Sequence, residues 1–313
     1  MPDKTILFGG SGFFGPIILE KYPDIISVGR TKLPENLKNQ HIHITDVDNL
    51  SALNNLDFDK VIFLIGNSNH HKINKPENVT MGIDYNLIPL KKTLNYLQEQ
   101  KIKKEGKKIK KFIAFTGALL YDANKTTLPV DETQALNPYI NDYVFSKYLA
   151  EELTKCYKEI PIINVRLSNI YGPTRLIRPD IIPTLMQSAL SPNEVQVWNT
   201  KPERDFVYAK DVADAVIALL NTDYTGPVNV GSGKMNSVAR VVKIIEKLSG
   251  KKIKVLNKDV SGPMKYVHDI SLLKKLTGWK PRYTLEQGLT ETYKNMKKYA
   301  NECKWWEQTS DKP

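Results

Sequence analysis

Residues 9–15, GGSGFFG, constrain the fold of this chain of 313 residues more than any other stretch. They directly follow an apolar run, KTILF, and they open a helical pattern that has Pro16 in its first turn. Glycines at a GxxGxxG spacing allow a tight turn and let the backbone come close to a pyrophosphate. The first turn of the helix then offers free N–H groups to the anion. The stretch therefore predicts a strand, a phosphate-binding turn and a helix.

Apolar runs alternate with helical patterns through the first half of the chain. The runs are β-branched and show no polar alternation, which indicates strands buried on both faces. They lie at residues 4–8, 25–28, 42–44, 60–65, 111–115 and 162–167, and helical patterns include 86–98 and 144–157. The repetition predicts a doubly wound parallel α/β sheet. We expect a dinucleotide-binding domain over 1–172 and a smaller C-terminal substrate lobe over 173–313, with segments near 203–233 returning to the first domain.

Composition narrows the class of partner. Apolar residues make up 41% of the chain and the net charge is +11, but residues 101–111 hold seven Lys and one Glu, which indicates a solvated helix end and loop rather than a nucleic-acid site.

The two cysteines, Cys156 and Cys303, form no CxxC and predict a reducing, cytoplasmic location. We expect no signal peptide and, without 18 consecutive apolar residues, no membrane helix. The five histidines lack the spacing of a metal site, so we expect no metal.

Arg30 bears on the choice between NADP(H) and NAD(H). A chain that binds NAD usually carries an acidic residue at the end of the second strand, where it bonds the adenine ribose. Here that position reads Val28-Gly29-Arg30, without a carboxylate. A guanidinium accepts a ribose 2′-phosphate as its partner. Arg30 therefore favours NADP(H), and NAD(H) with Arg30 stacked on the adenine is the alternative.

Tyr143 and Lys147 form the pair that carries chemistry. YxxxK also occurs at Tyr121, in a turn-like segment, and at Tyr293, late in the chain, whereas Tyr143 follows the fifth strand and begins a long helical pattern. Residues four apart share a helical face, so both side chains reach one ligand. A lysine ammonium about 4 Å from a phenol favours the phenolate by about 4 kcal/mol at a dielectric constant of about 20. The pair therefore predicts proton transfer coupled to hydride transfer.

With these motifs the sequence resembles the extended short-chain dehydrogenase/reductase family, in its nucleotide-sugar epimerase and reductase branch. The resemblance covers about residues 4–290. Its marks are GGSGFFG at Gly9, Asp46-Val47, DKVIFLIG at Asp59, Asn86, FTGALLYD at Phe115, YVFSK at Tyr143, RLSNIYGP at Arg166, RDFVYAKD at Arg204, NVGSG at Asn229 and TGWKP at Thr277.

The resemblance implies a role for each matching residue. The residues implied to bind the cofactor are Gly9, Gly12, Phe13, Phe14 and Gly15 at the pyrophosphate, Asp46 and Val47 at the adenine, and Lys147 at the nicotinamide ribose. Tyr143 and Lys147 are the implied catalytic pair. Asn169 is implied to contact the substrate's diphosphate and Arg204 a substrate phosphate, while a surface Arg204 paired with Asp205 or Asp211 is the alternative. A homodimer is the family expectation.

The sequence departs from the family pattern where a Ser or Thr stands four residues before the tyrosine of a VYG-like turn. That position, four before Tyr121, is Gly117. We expect Thr116 to supply the hydroxyl that polarises the substrate carbonyl if the loop shifts; otherwise Tyr143 alone holds the oxyanion.

Two further departures narrow the reaction. The acidic pair that eliminates water in related dehydratases is replaced by Ala118 and Leu119, which argues against dehydration and decarboxylation. The RxGD-like loop of UDP-sugar epimerases is missing, and residues 261–269, SGPMKYVHD, resemble the end of GDP-fucose synthase-like reductases.

We therefore expect an NADP(H)-linked oxidoreductase that reduces a nucleotide-activated 4-keto-6-deoxy hexose. An NAD-dependent nucleotide-sugar 4-epimerase is the first alternative. A non-catalytic, cofactor-sensing protein is the second, and Gly117 is the residue that keeps it open.

Overall fold

The central element of the fold is a parallel sheet of seven strands, seen in a computed structural model that describes residues 4–103, 108–174, 176–260 and 262–305. In chain order the strands of the whole fold are β1 Thr5–Phe8, β2 Ile26–Gly29, β3 His41–His43, β4 Lys60–Phe63, β5 Lys111–Phe115, β6 Ile162–Leu167, β7 Asn169–Tyr171, β8 Leu176–Ile177, β9 Val195–Val197, β10 Glu203–Tyr208, β11 Gly226–Val230, β12 Met235–Ser237, β13 Ile253–Val255 and β14 Lys304–Trp305. The central sheet has the order β11-β6-β5-β4-β1-β2-β3.

Helices cover both faces of this sheet. They are α1 Gly15–Lys21, α2 His70–Ile73, α3 Met81–Asn86, α4 Ile88–Lys103, α5 Asp142–Thr154, α6 Ile181–Leu190, α7 Ala209–Leu219, α8 Val238–Ser249, α9 Ser271–Thr277 and α10 Leu285–Lys298. Over the described ranges, none of these helices is both long and apolar enough to cross a membrane.

Successive residues of each central strand feed two different hydrophobic cores, because side chains alternate between the faces of a sheet. Leu7 packs with α1, α7 and α9 on one face, while Ile6 and Phe8 pack with α4 and α5 on the other. A third core joins α6, α8 and α10 in the C-terminal lobe. The prediction of a doubly wound parallel α/β sheet with a smaller C-terminal lobe is thus confirmed.

Three small sheets build the rest. β10 lies parallel to β7 and antiparallel to β12, β13 pairs with β9, and β14 pairs with β8. β11, which follows β10 and α7, returns to the central sheet and lies parallel to β6, with Val228 opposite Val165. The boundary at residue 172 stays a prediction.

Two local predictions hold for most of their described residues and depart from the structure at one end each. The helical pattern over 86–98 is confirmed by α4 from Ile88 onward, whereas Asn86 belongs to α3; the break fits Pro89, which has no N–H to donate to the Tyr85 carbonyl four residues earlier. In the lysine-rich segment, Lys111 is buried at the start of β5 and donates from Nζ to the Tyr224 carbonyl at 2.7 Å, whereas residues 104–107 lie outside the described residues.

Candidate active site

A cleft of about 930 Å³ opens where the central sheet meets the C-terminal lobe, at the carboxyl ends of β1, β4 and β5. Ligands bind at this end of open α/β sheets. Every side chain or glycine that the sequence singled out for binding or catalysis lines it, namely Gly9, Gly12, Phe13, Phe14, Gly15, Arg30, Asp46, Val47, Thr116, Tyr143, Lys147, Asn169 and Arg204. Among the described residues, no group of three His, Cys, Asp or Glu could hold a metal ion.

The glycine loop has the shape that a cofactor phosphate requires. Gly9 has φ of 85°, and Gly15 is obligatory because a Cβ there would lie 2.6 Å from the backbone of Gly9 and Gly10. Gly12 differs, since its added Cβ would meet nothing closer than the Gly9 carbonyl at 3.5 Å. Packing within the protein therefore does not demand glycine at residue 12. A bare backbone at that point of the cleft fits the close approach of a pyrophosphate.

Arg30 and Asp46 lie in the cleft beyond the ends of β2 and β3. Arg30 is exposed, directly after Gly29. One carboxylate oxygen of Asp46, Oδ1, accepts hydrogen bonds from the backbone of Asp48 at 2.8 Å and Asn49 at 3.3 Å, so the loop fixes this side chain. These positions lie at the end of the cleft beyond β2 and β3, where this fold would hold the adenosine half of a dinucleotide, and Arg30 is a cation at that end.

The first two turns of α5 hold Tyr143 and Lys147. The Asn141 side chain caps the helix by accepting from the Val144 N–H at 3.0 Å, and the Tyr143 N–H donates to Oδ1 of Asn74 at 3.0 Å. Lys147 reaches the end of β4, where a Cβ on Gly66 would lie 3.3 Å from its Nζ. The helix start is thus fixed from two sides, and both side chains face the cleft.

Burial controls the protonation of this pair. It raises the pKa of Tyr143 to about 12; the nearby Asp180 carboxylate acts in the same direction and the Arg178 guanidinium opposes it. Burial lowers the pKa of Lys147 to about 8. At pH 7 the tyrosine is therefore a phenol that can donate a proton, and the lysine is still largely an ammonium.

Gly117 leaves a gap beside the tyrosine. A Cβ built on this glycine would point at Tyr143 Oη from 4.0 Å and meet nothing nearer. Thr116 directly follows β5 and Gly117 is on extended backbone, where successive side chains point to opposite sides. Its hydroxyl donates to Oε2 of Glu151 at 3.2 Å and to the Val165 carbonyl at 3.4 Å. A catalytic Thr116 therefore requires the loop shift on which that prediction was conditional.

Asn169 and Arg204 line the part of the cleft that β7 and β10 form. Asn169 is exposed on β7, opposite Phe206 of β10. Nη1 of Arg204 donates to the carbonyls of Glu203 and Met264, each at 3.1 Å. The alternative pairings of this arginine are not seen, since the carboxylates of Asp205 and Asp211 accept backbone N–H groups elsewhere.

Sequence reasoning missed Arg178 and Asp180. They pair at 2.7 Å, the Arg178 guanidinium lies 4.0 Å from the centre of the Phe13 ring, and its Nη2 donates to the Ile170 carbonyl. Both residues line the cleft close to Tyr143. The available signal was an Arg and an Asp on either side of Pro179, directly before a helix.

Comparison with known proteins agrees with this geometry. The family model described as the NAD dependent epimerase/dehydratase family matches residues 5–231. A probable GDP-L-fucose synthase of Oryza sativa subsp. japonica is 33% identical over 176 residues, which is 51% of this chain and 53% of that protein. A putative UDP-glucose 4-epimerase of Methanocaldococcus jannaschii is 30% identical over 310 residues, which is 93% of this chain and 98% of that protein.

A solved structure shares the fold over nearly the whole chain. The epimerase of Methanothermobacter thermautotrophicus superposes with a TM-score of 0.83 at 18% identity, covering 96% of this chain and 94% of that one. At this identity the likeness concerns the fold. The chain spans about half of the rice relative and almost all of the Methanocaldococcus relative.

Proposed function

Because the chain is an enzyme of the NAD dependent epimerase/dehydratase family, we propose that it is an NADP(H)-linked oxidoreductase that reduces a nucleotide-activated 4-keto-6-deoxy hexose. The observation that carries the proposal is the single cleft in which Tyr143 and Lys147 lie between the glycine loop and Arg204. Ala118 and Leu119 occupy the positions where a dehydratase would carry its acidic pair, which leaves hydride transfer as the chemistry that the side chains support.

Each residue of the site has a part in this reaction. A bound dihydronicotinamide would supply hydride to the keto carbon. Tyr143 donates its phenol proton to the carbonyl oxygen, and the Lys147 ammonium stabilises the phenolate that results. Arg204 and Asn169 bind the diphosphate of the substrate. Arg30 accounts for the proposed preference for NADPH, because its guanidinium pairs with a 2′-phosphate that NADH lacks.

A 4-epimerase that retains NAD is the second candidate. It is favoured by the putative UDP-glucose 4-epimerase that matches this chain along 98% of its own length. In that reaction Tyr143 takes a proton from the substrate hydroxyl and returns it within one turnover, and the protein keeps its cofactor.

Identification of the nucleotide that co-purifies with the protein separates the two candidates. A reductase exchanges its cofactor in every turnover, so we expect a protein that is readily emptied and binds NADPH more tightly than NADH, with the preference lost in Arg30→Ala. Tightly held NAD without NADPH preference, together with interconversion of UDP-glucose and UDP-galactose, would establish the epimerase instead.

Tyr143→Phe tests the chemistry directly. The variant lacks the proton donor, so we expect turnover of GDP- or dTDP-linked 4-keto-6-deoxy hexoses to fall by about 10³-fold or more, while NADPH affinity stays within about twofold. The loss of NADPH absorbance over time measures turnover, and a fluorescence titration measures NADPH affinity. Turnover equal to that of the wild type would reject the assignment.

We also propose that the enzyme is a cytoplasmic homodimer. The low cysteine count, with Cys156 and Cys303 far apart and in no CxxC, suits a reducing compartment, and the dimer follows from the family resemblance. Light scattering of the purified protein tests the dimer.

A further inference from the structure

His70 lies in the candidate active site without a part in the reaction described so far. It follows the carboxyl end of β4, begins α2 and lines the cleft. The centre of its ring is 6.1 Å from that of Tyr143, with the ring planes inclined at 52°. The two rings are therefore neighbours in the cleft.

Hydrogen bonds hold this histidine in place relative to the tyrosine. The Asn67 N–H donates to Oδ1 of Asn86 at 2.8 Å, and the Asn69 side chain caps α2 by accepting from the Lys72 N–H at 3.0 Å. At the other end of α2, Asn74 accepts from the Tyr143 N–H. The segment that carries His70 is therefore fixed to α3 on one side and to α5 on the other.

A second imidazole continues the path outward. The ring of His71 lies against that of His70, with centres 4.0 Å apart and the ring planes tilted by 38°. His71 is exposed, whereas His70 is half-buried. Two adjoining imidazoles thus connect the half-buried tyrosine with solvent.

The charges around His70 suit transient protonation. Burial and the neighbouring His71 lower its pKa, whereas the Asp180 carboxylate and the Ser68 backbone carbonyl raise it. The net effect is a ring that is neutral at pH 7. A neutral imidazole beside a carboxylate can accept a proton from solvent and pass it on.

The proposed reaction creates a need for such a path. Reduction converts C=O to CH–OH; the C–H bond takes the hydride, the O–H bond takes the proton of Tyr143, and a phenolate remains. One proton per turnover must then enter from solvent. An epimerase has no such requirement, because the proton taken from the hydroxyl is given back.

We propose that His70 is the proton relay of this site: it returns a proton to the phenolate of Tyr143 and recovers one from solvent through His71. The inference rests on the proposed reductase function, since only a net reduction consumes a proton. His70 acts on the reacting groups through Tyr143, so its loss should change proton exchange more than substrate binding.

Exchange of the Tyr143 hydroxyl proton with solvent tests the relay without a substrate. The protein is labelled with ¹³C at Cζ of tyrosine and studied by NMR in a mixture of H₂O and D₂O, where slow exchange gives two lines and fast exchange one; Tyr143→Phe assigns the signal. We expect one averaged line for the wild type. In His70→Ala we expect the exchange to be slower by about 10- to 100-fold and the spectrum to show two lines. Imidazole added to the solution should restore fast exchange and the single line.

Matched variants guard against indirect effects. His70→Gln keeps a polar side chain that neither gains nor loses a proton at neutral pH. It should therefore slow exchange as alanine does. His43→Ala removes an exposed histidine outside the cleft and should leave exchange unchanged. Two lines in the wild type, unchanged exchange in both His70 variants, or slowing in Lys147→Met alone would overturn the proposal.

The two proposals fail separately. If the relay is absent, hydroxyl exchange is insensitive to His70 even when NADPH-dependent reduction is measured. If the reductase assignment is wrong, the keto-sugar assays are negative although exchange still depends on His70.

Discussion

Gly117 stands where the family resemblance leads one to expect the hydroxyl of a Ser or Thr. The gap that it leaves is open towards Tyr143 Oη, 4.0 Å from an added Cβ. No hydroxyl comes from residue 117, and that of Thr116 is held by Glu151 and Val165. In the proposed reaction, Tyr143 would therefore polarise the substrate oxygen without a second hydroxyl from this turn.

Gly117→Ser should restore that hydroxyl and raise kcat. Removal of one donor to a developing oxyanion costs about 10²–10³-fold in known sites, so addition of one should raise kcat by about 10-fold. The measurement is NADPH-dependent reduction at saturating substrate. Gly117→Ala is the matched control, since it adds the same Cβ without a donor and should not exceed the wild type; a serine variant no faster than the alanine variant would contradict the prediction.

The residues that could be predicted from sequence are those whose geometry is local. Glycine spacing defines the loop after β1, and four-residue spacing on α5 places Tyr143 and Lys147 on one face. Arg178 and Asp180 could not be found this way, because their approach to Tyr143 depends on how a segment of the second half of the chain packs against the first. The orientation of Thr116 likewise depends on Glu151 of another element.

At the scale of elements, one buried ion pair joins α5 to β6. Nη2 of Arg166 lies 2.5 Å from Oε1 of Glu151, and their side chains are 4% and 3% exposed. Arg166 also donates to the Tyr121 hydroxyl at 3.0 Å, which in turn donates to Asn229 of β11. The helix that carries Tyr143 and Lys147 is thereby tied to two strands of the central sheet.

Glu151→Gln should strongly destabilise the protein. The amide keeps the shape of the carboxylate but leaves the Arg166 charge buried without a counter-charge, which costs about 3–5 kcal/mol. Urea unfolding followed by circular dichroism measures the change. Glu152→Gln is the matched control: Glu152 pairs with Lys155 at 2.6 Å on the surface, where loss costs at most about 1 kcal/mol. Equal losses of stability in the two variants would show that the buried pair contributes no more than the surface pair.

The elements themselves were largely predictable, and their partners were not. The six predicted strands of the first half all occur, because β-branched runs buried on both faces are distinctive. The pairing of β14 with β8 and of β13 with β9 involves strands of only two or three residues, too short to give a pattern. The break between α3 and α4 was present in the sequence as Pro89.

At the scale of the whole molecule, His268 makes the free energy of unfolding depend on pH. It is buried between the rings of Tyr121 and Tyr266, both of its ring nitrogens lack a partner within the described residues, and burial lowers its pKa to about 3. An unfolded chain binds this proton near pH 6.5 and the folded protein near pH 3. In that window the unfolded state holds more protons, so stability is complete above pH 6.5 and decreases as pH falls.

His268→Gln should remove this dependence. Between about pH 6 and pH 4 we expect the free energy of unfolding to fall less steeply than in the wild type, by about 1.4 kcal/mol per pH unit, whatever the variant's absolute stability. Chemical unfolding at a series of pH values gives both slopes. His43→Gln, at an exposed histidine, should keep the slope of the wild type. Parallel slopes for wild type and His268→Gln would refute the assignment.

The position of β11 has a consequence for how the chain is made. This strand covers β6, whose Ile163 and Val165 are fully buried, yet it follows about 60 residues later, after α6, β9, β10 and α7. During synthesis, β6 therefore remains the unpaired edge strand of the central sheet while much of the second lobe emerges from the ribosome. We expect a nascent chain that ends before β11 to bind a chaperone more readily than the complete chain does.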